Sequence, residues 1–223
     1  MNLNADFSEI VLLHADDIPW RASPMPGVAR RMLDRIGDEV ARATTIVRYA
    51  PDSQFSAHTH SGGEEFIVLE GVFQDEHGDY PAGTYVRNPP TSSHTPGSAE
   101  GCVIFVKLWQ FDPDDRTQVR VDMHATPTPD RPGVGLLPLF KDAREEVRVE
   151  TWASGADVAI DAPDGAEFLV LEGDATCDAG QLRPLSWLRL PIRSRLRAKA
   201  GKSGARVWMK LGHLPYAQAP AVS

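Results

Sequence analysis

Short apolar runs separated by proline and glycine dominate the pattern of this chain. The runs are rich in Val, Ile, Thr, Tyr, Phe and Trp, which are enriched in strands, and helical spacing is scarce. The predicted strands are residues 44–50, 66–69, 84–87, 102–111, 146–152, 168–171 and 207–211. Residues 27–40 (GVARRMLDRIGDEV) are the best helix candidate. Many short strands at regular spacing predict an all-β sandwich or barrel of antiparallel sheets.

The second half of the chain repeats parts of the first. The matches pair 65–71 (EFIVLEG) with 167–173 (EFLVLEG), Lys107-Leu108 with Lys210-Leu211, and Gly27-Val28 with Gly133-Val134. The first two matches are separated by 102 and 103 residues. Matches in one order at nearly one offset predict a duplicated domain. We expect the junction within residues 112–131, which are rich in Pro and Asp.

Length and charge limit the classes of function. The 223 residues suffice for one large domain or two of about 100 residues. A net charge of −8 argues against a nucleic-acid partner, because phosphate binding requires clustered Lys and Arg. The basic stretch 189–202 is interpreted as the solvated face of a strand, with binding of a ligand as the alternative.

The N-terminus and the cysteines indicate a cytoplasmic protein. The first residues lack the basic region and the apolar core of a secretory signal, and the apolar runs are too short to cross a bilayer. Cys102 and Cys177 lie far apart and form no CxxC, which suits a reducing cytoplasm and excludes a cysteine-rich zinc module. Cys102 precedes an apolar strand and is interpreted as a buried core thiol.

The stretch HTHSGGEEFIVLEG, residues 58–71, contains side chains that can bind a metal. On a strand, His58 and His60 project from the same face. A turn through the two following glycines could bring Glu64 back over both imidazoles. His94, after another proline-rich turn, could be the fourth ligand. Three imidazoles and a carboxylate suit Fe(II), Mn, Ni, Co or Zn. The alternative is a polar hairpin with histidines facing solvent.

These residues resemble two motifs of the cupin superfamily. His58-x-His60-x3-Glu64-x6-Gly71 is similar to the first motif, and Gly83-x5-Pro89-x4-His94 is similar to the second. The chain departs from the family in two turns: Asp52 stands where the first motif opens with Gly, and residues 89–94 read PPTSSH instead of PxGxxH. Neither departure removes a ligand. The resemblance implies an all-β fold of two tandem cupin (double-stranded β-helix, or jelly-roll) barrels.

The first half is most similar to the cupin domain of the ChrR anti-sigma factor family. The similarity lies in residues 58–83, then YVRNPPTSSH, then GCVIFVKLW. It implies one divalent metal ion, zinc by the resemblance and iron, manganese or nickel as alternatives, held by His58, His60, Glu64 and His94. Glu65 is expected to point away, toward a structural hydrogen bond or solvent.

The second repeat does not retain the ligands. Counting by the offset, Ile160 and Ala162 replace the two histidines and Ala166 replaces Glu64. We therefore expect residues 1–115 to form a cupin with a metal site and residues 116–223 to form a degenerate cupin without metal ligands. The remaining histidines, His14, His77, His124 and His213, have no partner at ligand spacing.

Two functions share this predicted centre. One is a metal-binding, ChrR-like bicupin that senses or binds a small molecule; no CxxC is present, so direct binding of a sigma factor is not expected. The alternative is a metal-dependent dioxygenase acting on a β-dicarbonyl-type substrate, with a redox-active metal as Lewis acid. A purely structural bicupin is a third class.

No catalytic residue is assigned. Tyr85 and Arg87 are candidates for the barrel mouth, and a homodimer is plausible.

Overall fold

The computed structural model describes residues 1–38 and 40–220, and in these residues the fold is all-β. The helical content of the described chain consists of two 3-10 turns, Ala15–Asp17 and Leu214–Tyr216. None of the described helices is long and apolar enough to span a membrane. The strands are β1 Asn2–Leu3, β2 Val11–His14, β3 Arg21–Ala22, β4 Val28–Gly37, β5 Ala41–Tyr49, β6 Ser53–Gln54, β7 His58–Thr59, β8 Glu64–Asp75, β9 Gly78–Pro81, β10 Thr84–Asn88, β11 Ser93–His94, β12 Gly97–Ser98, β13 Cys102–Leu108, β14 Val119–Asp122, β15 Thr128–Arg131, β16 Val134–Lys141, β17 Glu146–Trp152, β18 Asp157–Ala162, β19 Ala166–Cys177, β20 Gly180–Leu182, β21 Ser186–Leu190 and β22 Ser194–Leu211.

The predicted helix at 27–40 is wrong, because most of this segment is strand β4. β4 pairs with β5 in antiparallel register, and the register shifts between Met32 and Asp34. Such a bulge adds one residue to a strand and reverses its alternation. The extra residue, Leu33, stands beside Met32, so that Val28, Met32, Leu33 and Ile36 occur at i, i+4, i+5 and i+8, a spacing that also fits one face of a helix.

The chain divides into two compact units. The first contains Met1–Ala5 and Ile18–His124, together with residues 218–220. The second contains Asp6–Asp17 and Ala125–Ala217. The second unit thus includes the N-terminal strand β2, which pairs with β21.

The first unit is built on one large antiparallel sheet. Its strand order is β1-β4-β5-β13-β8-β10-β14, and the short strands β3, β6, β9 and β12 extend it at the sides. The order does not close on itself. β7 and β11 form a separate two-stranded sheet. A core of Phe66, Val68, Phe73, Ile104 and other apolar side chains lies against one face of the central strands.

The second unit has a corresponding order, β15-β16-β17-β22-β19-β21-β2, which is also open. Here the first part of the long strand β22 pairs with β18, its last part pairs with β17, and β19 pairs with most of its length. The exposed and buried residues of β18 alternate strictly, as expected for a strand with one face on the core. Its core includes Trp152, Phe168, Leu188 and Met209.

The sequence repeat coincides with a structural repeat. β8 and β19 are both 12 residues long, and each pairs with a five-residue partner, β10 or β21. Both have a bulge after the fifth residue, which lies at Val68 in β8 and at Val170 in β19. Gly71 and Gly173, which end the repeated motif, both have a φ of +70°. A Cβ at either position would lie 2.1 Å from a carbonyl oxygen, of Gly101 or Gly204. The repeated glycine therefore marks a close approach of two backbones.

Candidate metal centre

Strands β7 and β11 bring three histidines together in the first unit. Their antiparallel pairing sets His58 directly opposite His94, and His60 follows two residues after His58. The three rings pack edge to face, with centroids 4.9 Å apart for His58–His60 and for His58–His94, and 4.6 Å apart for His60–His94. One nitrogen from each ring can be chosen so that all three lie within 4.8 Å of one another.

Glu64 joins this cluster through the turn predicted from the glycine pair. Gly63 has a φ of +75°, and a Cβ there would lie 2.4 Å from the ring of Phe111. The turn therefore requires glycine. Beyond it, Oε2 of Glu64 lies 3.4 Å from Nε2 of His60 and 3.7 Å from Nε2 of His94. One carboxylate oxygen thus faces two imidazoles at the start of β8.

The ring nitrogens that face away from the cluster are fixed by hydrogen bonds. Nδ1 of His58 lies 3.2 Å from the carbonyl oxygen of Ser56, which can only accept, so that Nδ1 carries the proton. Nδ1 of His94 lies 3.1 Å from Oδ2 of Asp75, a buried carboxylate. Both contacts leave Nε2 without a proton and turned toward the centre. This is the arrangement that orients metal-binding histidines in proteins.

Asp75 is a functional candidate that sequence reasoning missed. Its Oδ1 accepts hydrogen bonds from the backbone N–H of His77 and from the hydroxyl of Tyr80, at 2.8 and 3.1 Å. These contacts fix the carboxylate beside His94. The signal in the sequence was weak, since Asp75 is one of several acidic residues in a hairpin (residues 75–79, DEHGD).

His60 gives a direct test of whether the site suits a metal. Its Nε2 is buried and has no hydrogen-bond partner among the described atoms. An unpartnered buried nitrogen is costly, and a cation at the centre would satisfy it. Burial, and then the neighbouring His58, lower the pKa of His60 to about 4. Burial also lowers the pKa of His94. Both rings are therefore neutral near pH 7, which is the form that binds metals.

The buried carboxyl group of Glu64 requires a nearby positive charge to be ionised. Burial raises the pKa of its carboxyl group, and the adjacent His94 and His58 only partly oppose this effect. Nδ2 of Asn88 donates a 3.4 Å hydrogen bond to Oε2. A divalent cation would supply the missing positive charge and favour the ionised carboxylate. The N₃O donor set and the burial of Glu64 thus fit a divalent metal ion.

The other residues singled out in the sequence lie elsewhere in the first unit. Glu65 points away from the histidines and accepts a 2.7 Å hydrogen bond from the hydroxyl of Tyr85. Arg87 is buried, forms a 2.7 Å ion pair with Asp115 and stacks on Phe111. Glu65 therefore has the structural role that was predicted, whereas Tyr85 and Arg87 do not line the cavity beside the histidines.

The remaining histidines and Cys102 have other surroundings. His58, His60 and His94 are the one group of three or more potential ligand side chains in residues 1–38 and 40–220. His14 contacts the hydroxyl of Ser186, and His124 pairs with Asp122 at the surface. Cys102 is buried, as predicted, and burial raises the pKa of its thiol to about 11.

In the second unit, apolar side chains occupy the positions that correspond to the cluster. Ile160, on β18, lies directly opposite Leu196, on β22, just as His58 lies opposite His94. Ala162 and Ala166 stand at the positions of His60 and Glu64. All four are at most 4% exposed and belong to one hydrophobic core. The same framework therefore packs without polar ligands.

A cavity of about 570 Å³ adjoins the cluster in the first unit. His58 and Glu64 line it at one place, and Val47, Tyr49, Ile104 and Val106 form much of its wall. Its volume lies in the range of about 300–1,000 Å³ that is usual for small-molecule sites. A metal ion in the cluster would be accessible to a small molecule in this cavity.

Comparison with known proteins places the chain among cupin-fold proteins. A protein from Nostoc punctiforme, provisionally assigned as a dioxygenase, superposes with a TM-score of 0.76 at 15% identity, covering 97% of this chain and 87% of that one. A cupin 2 conserved barrel domain protein from Leptotrichia buccalis gives 0.62 at 9% identity, covering 91% and 96%. The nickel complex of the Escherichia coli pirin YhhW gives 0.65 at 13% identity, covering 92% and 99%. These low identities establish the fold alone.

The sequence of the N-terminal part also matches a known family. Residues 8–112 match the family model of the ChrR Cupin-like domain, so this part of the chain is similar to that domain. The matched range contains all four predicted ligands. No curated protein matches the chain in sequence.

Proposed function

We propose that the chain is a metal-binding bicupin that binds or senses a small molecule at one divalent metal ion. His58, His60, His94 and Glu64 are the proposed ligands, in the first of two tandem cupin barrels. The observation that carries this proposal is the convergence of three imidazoles and a carboxylate beside an open cavity. The buried Nε2 of His60 supports it, because this nitrogen has no hydrogen-bond partner among the described atoms.

The second barrel is proposed to be structural and to bind no metal. Its support is the apolar packing of Ile160, Ala162, Ala166 and Leu196 at the positions of the ligands. Zinc is the proposed metal from the likeness to ChrR; nickel, which is bound by the similarly folded pirin, suits the same donors. We further propose a cytoplasmic protein that does not itself bind a sigma factor.

The test is the metal content of a His94→Ala variant. The purified wild-type chain is expected to bind about one zinc ion, and the variant at least tenfold less, because one imidazole and its Asp75 contact are lost. His77→Ala is the matched control: His77 is an exposed histidine that is close in sequence and belongs to no cluster of ligands. Unchanged zinc binding by His94→Ala would refute the ligand assignment.

A metal-dependent dioxygenase acting on a β-dicarbonyl compound is the second candidate. It uses the same ligands and cavity, and the provisional assignment of the Nostoc punctiforme protein favours it. A redox-active metal would supply Lewis acidity and electron transfer. Oxygen uptake by the Fe(II)-loaded chain with acetylacetone tests this candidate. Uptake that is abolished in His94→Ala supports the enzyme, whereas uptake no faster than with free Fe(II) argues for the binding function.

A further inference from the structure

We infer that the cavity beside the histidines takes a small organic anion with an apolar body, and that Arg30 pairs with its anionic group. The inference rests on the proposed metal centre, since His58 and Glu64 line the same cavity as Arg30. It adds a second polar anchor, away from the metal, and so defines a chemical class of ligand.

Strands β4, β5, β13 and β8 form an apolar floor between Arg30 and the proposed metal site. Val47 on β5 lies opposite Arg30 on β4 and opposite Ile104 on β13. One row of paired residues contains Arg35, Ala43, Leu108 and Glu64 on β4, β5, β13 and β8. Three strand spacings of about 4.8 Å separate the backbones of Arg35 and Glu64 by about 14 Å. The cavity floor between them is therefore wide enough for a hydrocarbon body.

The bulge in β4 places two cations on this face. Arg30 and Arg35 are five residues apart, and strict alternation would send their side chains to opposite faces. The shift between Met32 and Asp34 restores Arg35 to the face of Arg30, and both line the cavity. A bulge that re-aims a side chain in this way is frequent next to binding sites.

The charge of Arg30 is not neutralised by a neighbouring carboxylate. Its Nη2 donates a 2.7 Å hydrogen bond to the hydroxyl of Ser23, and it forms no ion pair with any described residue. Burial, and then the charge of Arg30, lower the pKa of Arg35, so the two guanidinium groups act on each other as like charges. A partly buried guanidinium in this position favours a carboxylate, which it can bind through two parallel hydrogen bonds.

Tyr49 adds a hydroxyl group to the lining of the cavity. Its ring packs against Phe55 and Phe73, with centroids 5.2 and 5.9 Å apart, and it lines the cavity. Burial, followed by the nearby Glu64, raises the pKa of its hydroxyl, which Arg30 partly offsets. Tyr49 thus remains a neutral hydrogen-bond donor within electrostatic reach of both ends of the cavity.

Calorimetric titration of the full-length chain tests the inference. The probes are hexanoate and benzoate, with hexanamide and benzamide as uncharged analogues of nearly equal size. Titrations use both zinc-loaded and chelator-treated protein, because a carboxylate can also bind a metal. We expect each carboxylate to bind at least tenfold more tightly than its amide in both forms of the protein.

Variants of Arg30 identify the cation. Arg30→Gln is expected to abolish the preference for carboxylate while retaining the zinc stoichiometry of the wild type, and Arg30→Lys to retain part of the preference. Arg195→Gln is the control, since Arg195 is exposed and paired with Asp161 in the second unit. No binding of any probe to the wild type, equal affinity for acids and amides, or a preference that survives in Arg30→Gln would overturn the inference. If the wild type binds no zinc but still prefers carboxylates to amides, this result would refute the metal centre alone.

Discussion

At the scale of single residues, hydrogen bonds to Nδ1 leave Nε2 as the nitrogen available to a metal in two of the three histidines. A backbone carbonyl does this for His58 and the carboxylate of Asp75 does it for His94. The contact to Asp75 is charge-assisted, and it also makes the imidazole more basic. Asp75 is therefore expected to contribute to metal affinity without touching the metal.

Asp75→Asn tests this role with little change in shape. The amide keeps an oxygen for the turn at His77 but removes the negative charge beside His94. We expect zinc affinity to fall by about 10–100-fold, measured by competition with a chromophoric chelator. Asp79→Asn, in the same hairpin, is the control because its carboxylate contacts only the Gln74 side chain among the described side chains. Equal affinities of the two variants would contradict the positioning role.

The lowered pKa of His60 predicts how the metal-free protein responds to acid. The unfolded chain takes up a proton near pH 6.5, whereas the folded chain does so near pH 4. Stability from this group is therefore complete above pH 6.5 and is lost as pH falls toward 4, by about 3 kcal/mol in total. Urea unfolding across this range measures the loss.

His60→Gln provides the comparison for the acid response. The raised pKa of Glu64 acts in the opposite direction, destabilising the folded state as pH rises above about 4.5, and the variant retains this effect. The difference in unfolding free energy between wild type and variant should therefore change with pH between 6.5 and 4. A difference that is independent of pH would show that His60 titrates normally.

The grouping of the candidate ligands was predictable at this scale, and the residues that support them were not. The spacing of His58, His60 and Glu64 and the position of His94 are visible in the sequence as motifs. Asp75 and Arg30 become candidates only when strand pairing places them, since nothing in their local sequence distinguishes them from surface residues. A residue whose role depends on strand register cannot be recognised from the sequence alone.

At the scale of elements, the repeated glycine of the two long strands is a specific constraint. Gly173 and Gly155 both have positive φ, +70° and +67°, in the same unit. A Cβ on Gly173 would lie 2.1 Å from the oxygen of Gly204, whereas a Cβ on Gly155 would have no atom within 4 Å. Substitutions at these two glycines therefore distinguish the cost of a positive φ from the cost of steric overlap.

Gly173→Ala is expected to be much more destabilising than Gly155→Ala. The φ penalty alone costs about 1 kcal/mol, and displacing a paired backbone raises the cost to about 3 kcal/mol or more. Urea unfolding of both variants, followed by tryptophan fluorescence, gives the comparison. Similar losses would mean that β19 and β22 separate easily at this point.

The strands themselves followed well from the sequence. The run 146–152 coincides with β17, and the other predicted runs overlap β5, β8, β10, β13, β19 and β22. The failure was at β4, where the residue added by a bulge, Leu33, stands beside Met32 and breaks the alternation expected of a strand. The pattern records which residues are buried, but one inserted residue changes the period by which strand and helix are distinguished.

At the scale of the whole molecule, the two units have corresponding strand orders but different side chains at the position of the histidine cluster. The repeat of 65–71 at 167–173 predicts a duplicated domain, and the matching bulges and glycines show that these two segments have the same local structure. The predicted boundary between residues 115 and 116 stays a prediction. The pairing of β2 with β21 is a long-range contact that no local pattern contains.

The comparison of the two units also supports a functional role for the proposed metal ligands. The second unit buries Ile160 and Leu196 where the first has His58 and His94. Because apolar side chains are sufficient for this framework, the folding of a cupin does not explain three adjacent imidazoles. Such a cluster, with a buried unpaired nitrogen, carries an energetic cost in the metal-free protein that metal binding would offset.

The most direct test of the central claim is the X-ray absorption spectrum of the full-length chain loaded with one zinc ion. The account predicts coordination by nitrogen and oxygen only, at about 2.0–2.2 Å, with the multiple scattering of three imidazoles. The three-imidazole signal should decrease to two in His94→Ala reloaded with excess zinc. Sulfur ligands, or a spectrum with at most one imidazole in the wild type, would contradict the proposed site.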